Sequence, residues 1–534
     1  MNAMYRVRTT GMRTRPRPTW AVYWRQTTAF EAQPFSLGRE SRPYCPVAVV
    51  QDAVGARWAR NAMTAARLTL VTLFSVALAL NAAWAEPSIY PTGVTRYDPA
   101  KAYGTFILFS GGDNKTHLID MDGREVHRWN YPGFPSGILD PALTGGKRGH
   151  VMVELSMMKK DDPAMFKDLP VIYHDKSLAE LDWNGKVVWQ WGANAPGGAA
   201  QQHHDWARFP NGNTLVLSVV VHPLPGFALP KLVDDAIYEV TPKGDIVWRW
   251  VAGDHLDEFG WTPEELALVR ATKAISYLHI NDMKPVGPNH WFSAGDARFN
   301  PDDIVIGSRD ANFIAIIDKA TGKIVWRLGP DYPPVAPGPR KLPAPVDQIS
   351  GQHDPQIIPE SLPGASNLLV FDDQGAAGYP PAKLNYTGGS RILEIDPVKK
   401  QVVWEYSASD INRPEWTFYS SFISNVRRLP NGNTFIDEGM NGRFFQVTPA
   451  GEIVWEYVSP YFGEAPLGPG EKEVVTNWVY RAQPVRYDWV PAGTPHGEHA
   501  VVPPDLTSFH LPAQPRVSGF GVTLAIGKGS APAH

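Results

Sequence analysis

Short apolar runs alternate with polar turns along most of this chain, and one version of the pattern recurs. Residues 118–129 run from an apolar stretch through a turn at Asp122-Gly123 into a second stretch that ends on Trp129. Residues 178–191 repeat this around Asn184-Gly185 and end on Trp189 and Trp191, and residues 237–250 repeat it around Pro242 and Gly244. Further copies occupy 314–328 (Asp318, Gly322, Trp326), 392–406 (Asp396, Trp404) and 444–457 (Thr448, Gly451, Trp455). Each copy predicts a β-hairpin: a strand, a turn built on Asp or Thr with Pro or Gly, and a second strand rich in aromatic residues.

Other strands precede the hairpins. Residues 211–217 and 431–436 are near copies that open Asn-Gly-Asn-Thr, and residues 303–308 and 367–371 fill the same slot. One further strand comes before each. Four strands per unit, repeated six times at intervals of 50 to 80 residues, predict an all-β chain folded as a six-bladed β-propeller. The first unit, from Thr105, lacks its innermost strand. Residues 477–481 resemble the inner-strand segment 425–428, so a C-terminal strand at 477–481 is predicted to close the ring. A solenoid would not need a strand from the far terminus. Two inserts stand out. Residues 252–277 predict a helix capped by Thr262 with Pro263 at its first position, and residues 329–351 form a Pro-rich loop. Both join the outer strand of one blade to the inner strand of the next, which predicts that they surround the mouth of the axis.

The N-terminus falls outside this pattern. From Met63 the chain carries a basic start ending at Arg67, an apolar run over residues 68–80, and the small-residue cleavage signal Ala83-Trp84-Ala85. This predicts a secretory signal peptide at 63–85. The 13-residue apolar run is shorter than the roughly 20 residues of a membrane span. Residues 1–62, Arg-rich and Pro-containing, read as an extension that is disordered or untranslated. The propeller is expected over residues 100–490, followed by a tail at 491–534. The expected location is the periplasm or the exterior, with no membrane anchor after cleavage.

Composition narrows the chemistry. A net charge of -4 lacks the basic surplus of nucleic-acid binders. Cys45, the one cysteine among 534 residues, precedes the expected cleavage site, so a mature chain would have no disulfide, thiolate metal site or Cys nucleophile.

Three histidines recur in step with the repeat. His204 and His279 are 75 residues apart, and His353, in Gly351-Gln352-His353-Asp354, follows 74 residues later. His204 stands seven residues before Asn211, as Ser424 stands seven before Asn431. In a propeller these segments line the central channel, so the three imidazoles, Asn281 and Arg309 are expected to meet there. Three His could hold zinc or iron, but a guanidinium among the ligands would repel a cation. Anion chemistry fits better: Arg clamps a tetrahedral oxyanion, and imidazole serves as nucleophile or proton carrier. Taken singly, Arg309 can also be a structural partner of Asp310 or Asp373, and Asp354, Asp372 and Asp373 either orient imidazoles or form turns. His203, His222, His255 and His290 read as ordinary surface or core histidines, and the repeated Trp residues as blade-to-blade packing.

At these residues the chain resembles the bacterial arylsulfate sulfotransferase family of periplasmic six-bladed propellers. The matching pieces are His204-Asp205, His279-Ile280-Asn281 followed by Arg309, Gln352-His353, Phe371-Asp372-Asp373, and residues 424–434. The resemblance covers roughly residues 100–490. It implies ping-pong sulfuryl transfer from an aryl sulfate to a phenol, with no nucleotide sulfate donor, no cofactor and no metal. Carried over, His353 attacks sulfur and becomes a sulfohistidine, while His279, Asn281, Arg309 and His204 bind the sulfate and phenol oxygens. Ser424 is a further substrate contact by the same comparison. The sequence departs from the family in its longer interval from His279 to Arg309, its missing cysteine pair, and residues 86–100, too few for an N-terminal β domain. It looks like a propeller-only branch. Two other readings stand beside it. Residues 317–326 resemble the Trp-docking hairpin of quinoprotein dehydrogenases that use pyrroloquinoline quinone, and a non-catalytic ligand-binding propeller would tolerate loss of its histidines.

Overall fold

The structure, a computed structural model, describes residues 91–157, 169, 171–334, 340–375, 389–466 and 473–503. The expected N-terminal extension, the signal peptide, Cys45 and the tail from residue 504 onward lie outside the described residues.

Six antiparallel sheets succeed one another along the chain as six blades in a ring, each built around a core of four strands. Blade 2 comprises Gly137–Ile138, Val151–Met157, Asp175–Leu181 and Val187–Trp191; blade 3, Trp206–Arg208, Thr214–His222, Leu232–Val240 and Ile246–Val251. Blade 4 comprises Ile280–Pro285, Ile304–Ser308, Phe313–Ile317 and Ile324–Leu328. Blade 5 comprises His353–Ile357, Leu368–Asp372, Arg391–Asp396 and Gln401–Ser407; blade 6, Asn425–Arg428, Thr434–Glu438, Arg443–Val447 and Ile453–Val458.

Blade 1 is assembled from both ends of the chain. Phe106–Ser110, Thr116–Ile119 and Glu125–Trp129 receive their innermost strand from Ala482–Val485, which pairs antiparallel with Phe106–Ser110. The closing strand thus begins just after residues 477–481, where the sequence placed it. Those residues instead form the approach that carries Tyr480 and Arg481 into the axis. A second closure was not expected: Gly93–Tyr97 adds a fifth strand outside Ile453–Val458 of blade 6. The Pro-rich loop likewise contributes Ala344–Pro345 to the outer edge of blade 5.

The hairpin Trp residues explain the repeat. Indole N–H groups donate across to the turn carbonyl of the next blade: Trp250 to Gly322 (2.9 Å), Trp326 to Pro397 (2.9 Å), Trp404 to Pro449 (2.9 Å) and Trp455 to Met121 (2.9 Å). Each large ring thereby fills the space between blades while its one donor is satisfied. Six apolar clusters lie between successive blades, including one that joins blade 6 to blade 1.

The insert helix spans Pro263–Arg270. Thr262 caps it in a full capping box with Glu265, and Pro263 leads. Its following segment hydrogen-bonds to blade 3 through Ile275 before the chain turns into His279. Among the described residues no helix is long and apolar enough to cross a membrane.

Candidate functional site: four histidines over a buried charge cluster

Three inner strands are entered through a sharp bend. His204 (φ 58°), His279 (φ 53°) and Ile423 (φ 53°) occupy the left-handed region just before the inner strands of blades 3, 4 and 6. Non-glycine residues adopt this backbone at a cost of roughly 1–3 kcal/mol, and such strain collects at functional sites.

His204 and His279 meet directly, Nε2 to Nε2 at 3.1 Å. Tyr480 stands between His204 and His353, its ring 5.4 Å from the first and 6.3 Å from the second. Phe134 closes the same wall, 4.1 Å from Tyr480 and 4.7 Å from His204. His204 and His353 are buried, and His279 retains partial exposure.

The protons on these rings follow from their partners. His353 Nδ1 lies 2.8 Å from Asp373 Oδ2, and the Ile423 amide donates to His353 Nε2 at 3.2 Å. An N–H donor on Nε2 leaves the hydrogen of a neutral ring on Nδ1, so His353 donates to Asp373 and keeps its Nε2 lone pair. Burial, with help from Arg309 and His279, holds His353 well below the ordinary histidine range. Burial and then Arg309 push His279 down to about 3. His204 is likewise held well below its ordinary value by burial and then His279. The imidazoles are neutral at physiological pH.

Arg309 stands beside these imidazoles and pairs with Asp310. Its Nη1 donates to Asp310 Oδ1 at 3.0 Å, while its charge acts on His279, His353 and Asp373. Asn281 donates through Nδ2 to the Gln352 carbonyl (2.8 Å), and its Oδ1 has no partner among the described residues. Ser424 is buried, and its hydroxyl donates to the Ile423 carbonyl and accepts from the Gly439 amide (3.3 Å).

Below this layer sits a second one. Asp205, Asp282 and Asp354 each follow a site residue by one position, so alternation along the chain turns them to the other side. Arg481, just past Tyr480, reaches Asp205 Oδ1 at 2.7 Å, Asp282 at 3.3 Å and Asp354 at 3.6 Å. Lys284 contacts the same three carboxylates, at 3.0 Å from Asp205 and 2.8 Å from Asp354, and Arg427 pairs with Asp354. Arg481 and Lys284 outweigh burial and keep Asp205 well below the usual carboxylate range. Burial pushes Asp282 up to about 7 and Lys284 down to about 8. Five blades, counting Arg481 of the closing segment, are thereby tied together beneath the imidazoles.

Several of these residues escaped sequence reasoning. His203, set aside as ordinary, lies buried with Nδ1 2.7 Å from His204 Nδ1. Its adjacency to His204 was a usable signal. Phe134, Ile423 and Tyr480 carried none, because nothing in their own segments resembles a motif. His222 pairs with Asp234, His255 stacks on Trp250 and His290 is exposed, as ordinary histidines do. Among the described residues no group of three or more His, Cys, Asp or Glu is arranged to hold a metal ion.

Neutral imidazoles thus stand beside a guanidinium and are walled by aromatic rings. The profile of the arylsulfotransferase (ASST) family matches residues 94–465, most of the propeller. The chain belongs to that family and is an aryl sulfotransferase. No curated protein matches the sequence. Solved structures similar to it include a protein of unknown function from Bacteroides caccae (12% identity, 72% of this chain and 100% of that one, TM-score 0.39). Another is a streptogramin B lyase (13% identity, 65% of this chain and 83% of that one, TM-score 0.30). Similarities this low carry no argument about function.

Proposed function

We propose that this protein moves a sulfuryl group from an aryl sulfate to a phenolic acceptor in two steps, through a sulfohistidine on His353. In the first step the His353 Nε2 lone pair attacks sulfur, the bond from sulfur to the aryl oxygen breaks, and the phenolate leaves. In the second step the acceptor oxygen attacks the same sulfur, the N–S bond breaks, and His353 is restored. The observation that carries this reading is the pair of contacts on His353, Asp373 at Nδ1 and the Ile423 amide at Nε2, which together leave a lone pair on Nε2. The Ile423 amide now on Nε2 must give way to sulfur.

In this reading Arg309 binds the sulfate oxygens, which gather charge as the group transfers. Asn281 offers the transferring group the Nδ2 hydrogen that the Gln352 carbonyl does not take, and His279 and His204 serve the aryl oxygen. Phe134 and Tyr480 flank the aryl ring. We place the reaction in the periplasm or outside the cell, after removal of residues 63–85; N-terminal sequencing of the exported protein starting at Glu86 is the expected result.

The test is intact-mass analysis after mixing with an aryl sulfate and no acceptor. A single sulfuryl adduct that maps to His353 and disappears on adding phenol is expected. A His353→Asn variant that folds and still transfers at the native rate would remove His353 from the mechanism.

A further inference from the structure

The hydrogen bonds of His204 do not stop at His204. His203 Nε2 lies 3.1 Å from the Ser218 carbonyl, which can only accept, so a neutral His203 carries its hydrogen there and accepts at Nδ1. His204 then donates from Nδ1 to His203 Nδ1 at 2.7 Å, and His279 donates from Nε2 to His204 Nε2 at 3.1 Å. Three imidazoles thus form one directional chain leading away from the transfer site.

A carboxyl group waits at its far end. Asp235 Oδ1 has no hydrogen-bond partner among the described residues and lies 3.5 Å from His203 Nε2. Its Oδ2 accepts the Ile280 amide at 3.0 Å. Burial, then Asp234 and Asp310, raise this carboxyl well above its ordinary range, while the Ile280 amide opposes them. The Tyr173 ring covers His203 edge-on at 5.0 Å.

We infer that Asp235, acting through His203, His204 and His279, stores the proton that the departing aryl oxygen takes and the acceptor phenol returns. The inference rests on the proposed sulfuryl transfer and adds where its proton is kept. With Asp235 protonated, its O–H faces His203 Nε2, His203 Nδ1–H faces His204 Nδ1, His204 Nε2–H faces His279 Nε2, and His279 Nδ1–H faces the aryl oxygen. As the sulfur–oxygen bond breaks, the phenolate takes the hydrogen of His279. His204 reprotonates His279, His203 reprotonates His204, Asp235 reprotonates His203, and the chain is left neutral with an ionised Asp235. That product arrangement is the one the Ser218 contact satisfies. The acceptor phenol sends one proton back along the same path in the second step, so no proton is gained or lost over a cycle. Asp235 and His203 touch no substrate; they are positioning and proton-storage residues.

Leaving-group dependence tests this. A stored proton matters most for a phenolate that leaves poorly. The first half-reaction of Asp235→Asn should fall on the order of 100-fold with phenyl sulfate but under about tenfold with 4-nitrophenyl sulfate. His203→Gln, which breaks the chain at another point, should show the same steepening, so failure of one variant to fold leaves the other as the test. An equal loss with both donors in the folded variants would mean a purely structural role and overturn the inference. Should the native protein transfer nothing, the proposed function fails by itself. The storage site is then judged by infrared difference spectroscopy of native and Asp235→Asn protein: a protonated-carboxyl band lost in the variant supports it, and no such band overturns it.

Discussion

Replacing Asp373 by Asn keeps the shape of the group behind His353 and removes its capacity for charge. The substituted side chain can turn its amide oxygen toward His353 Nδ1, so the hydrogen bond at 2.8 Å survives in neutral form. The resting site is then barely altered, since His353 is neutral there. The proposed intermediate is not. A sulfuryl group on Nε2, with hydrogen still on Nδ1, makes the ring positive, and this ring lies in a buried site where Asp373 is its hydrogen-bonded carboxylate. Burial, then Asp372, raise Asp373 well above the carboxylate range despite Arg309. A positive ring forming beside it draws Asp373 into its ionised form, an ion pair that Asn cannot make. A hydrogen bond to a charged group is worth about 1.5–3 kcal/mol, so the first half-reaction should slow by roughly 10- to 150-fold. The assay is the burst of 4-nitrophenol from 4-nitrophenyl sulfate without acceptor, with circular dichroism to verify folding. Acceptor KM should change little. A burst within about threefold of the native rate would refute the counter-charge argument.

Three other outcomes follow from the same geometry. The first half-reaction should be flat between about pH 5 and about pH 6, because a base depressed by burial stays unprotonated until pH falls through its lowered value, while Asp282 and Lys284 titrate above this window; a tenfold fall on acidification across that window would contradict it. Arg481→Met should cost roughly 3–5 kcal/mol in denaturant unfolding, since it leaves Asp205 and Asp282 with Lys284 alone, and a loss below about 1 kcal/mol would show that the cluster relaxes freely. Trp326→Phe keeps most of the apolar ring but loses the bond to the Pro397 carbonyl, and should cost about 1–2 kcal/mol with activity retained; a variant that unfolds outright would mean the indole holds more than one blade contact.

The repeat made the blades legible because each must solve one packing problem. A Trp on the outer strand has to reach a turn carbonyl on the next blade, which fixes both the residue and its spacing. The same periodicity exposed His204, His279 and His353, since inner strands approach the axis at equal intervals. It could not expose what the axis receives only once. Phe134 and Tyr480 come from the two segments flanking blade 1 and have no counterpart in other copies. The strand at Gly93–Tyr97 was hidden for a related reason: it docks on an edge rather than repeating a blade. Ring closure was placed a few residues early because residues 477–481 do resemble an inner strand. The residues in that approach serve the axis instead, Tyr480 above and Arg481 below. Their separation is the two-faced alternation already seen in His204-Asp205, Asn281-Asp282 and His353-Asp354. Four adjacent pairs, each split between the site and the charge cluster, tie the positions of His204, Asn281, His353 and Tyr480 to the ion pairs beneath them. A change in the lower layer should therefore reach the rate of transfer even where no substrate is touched.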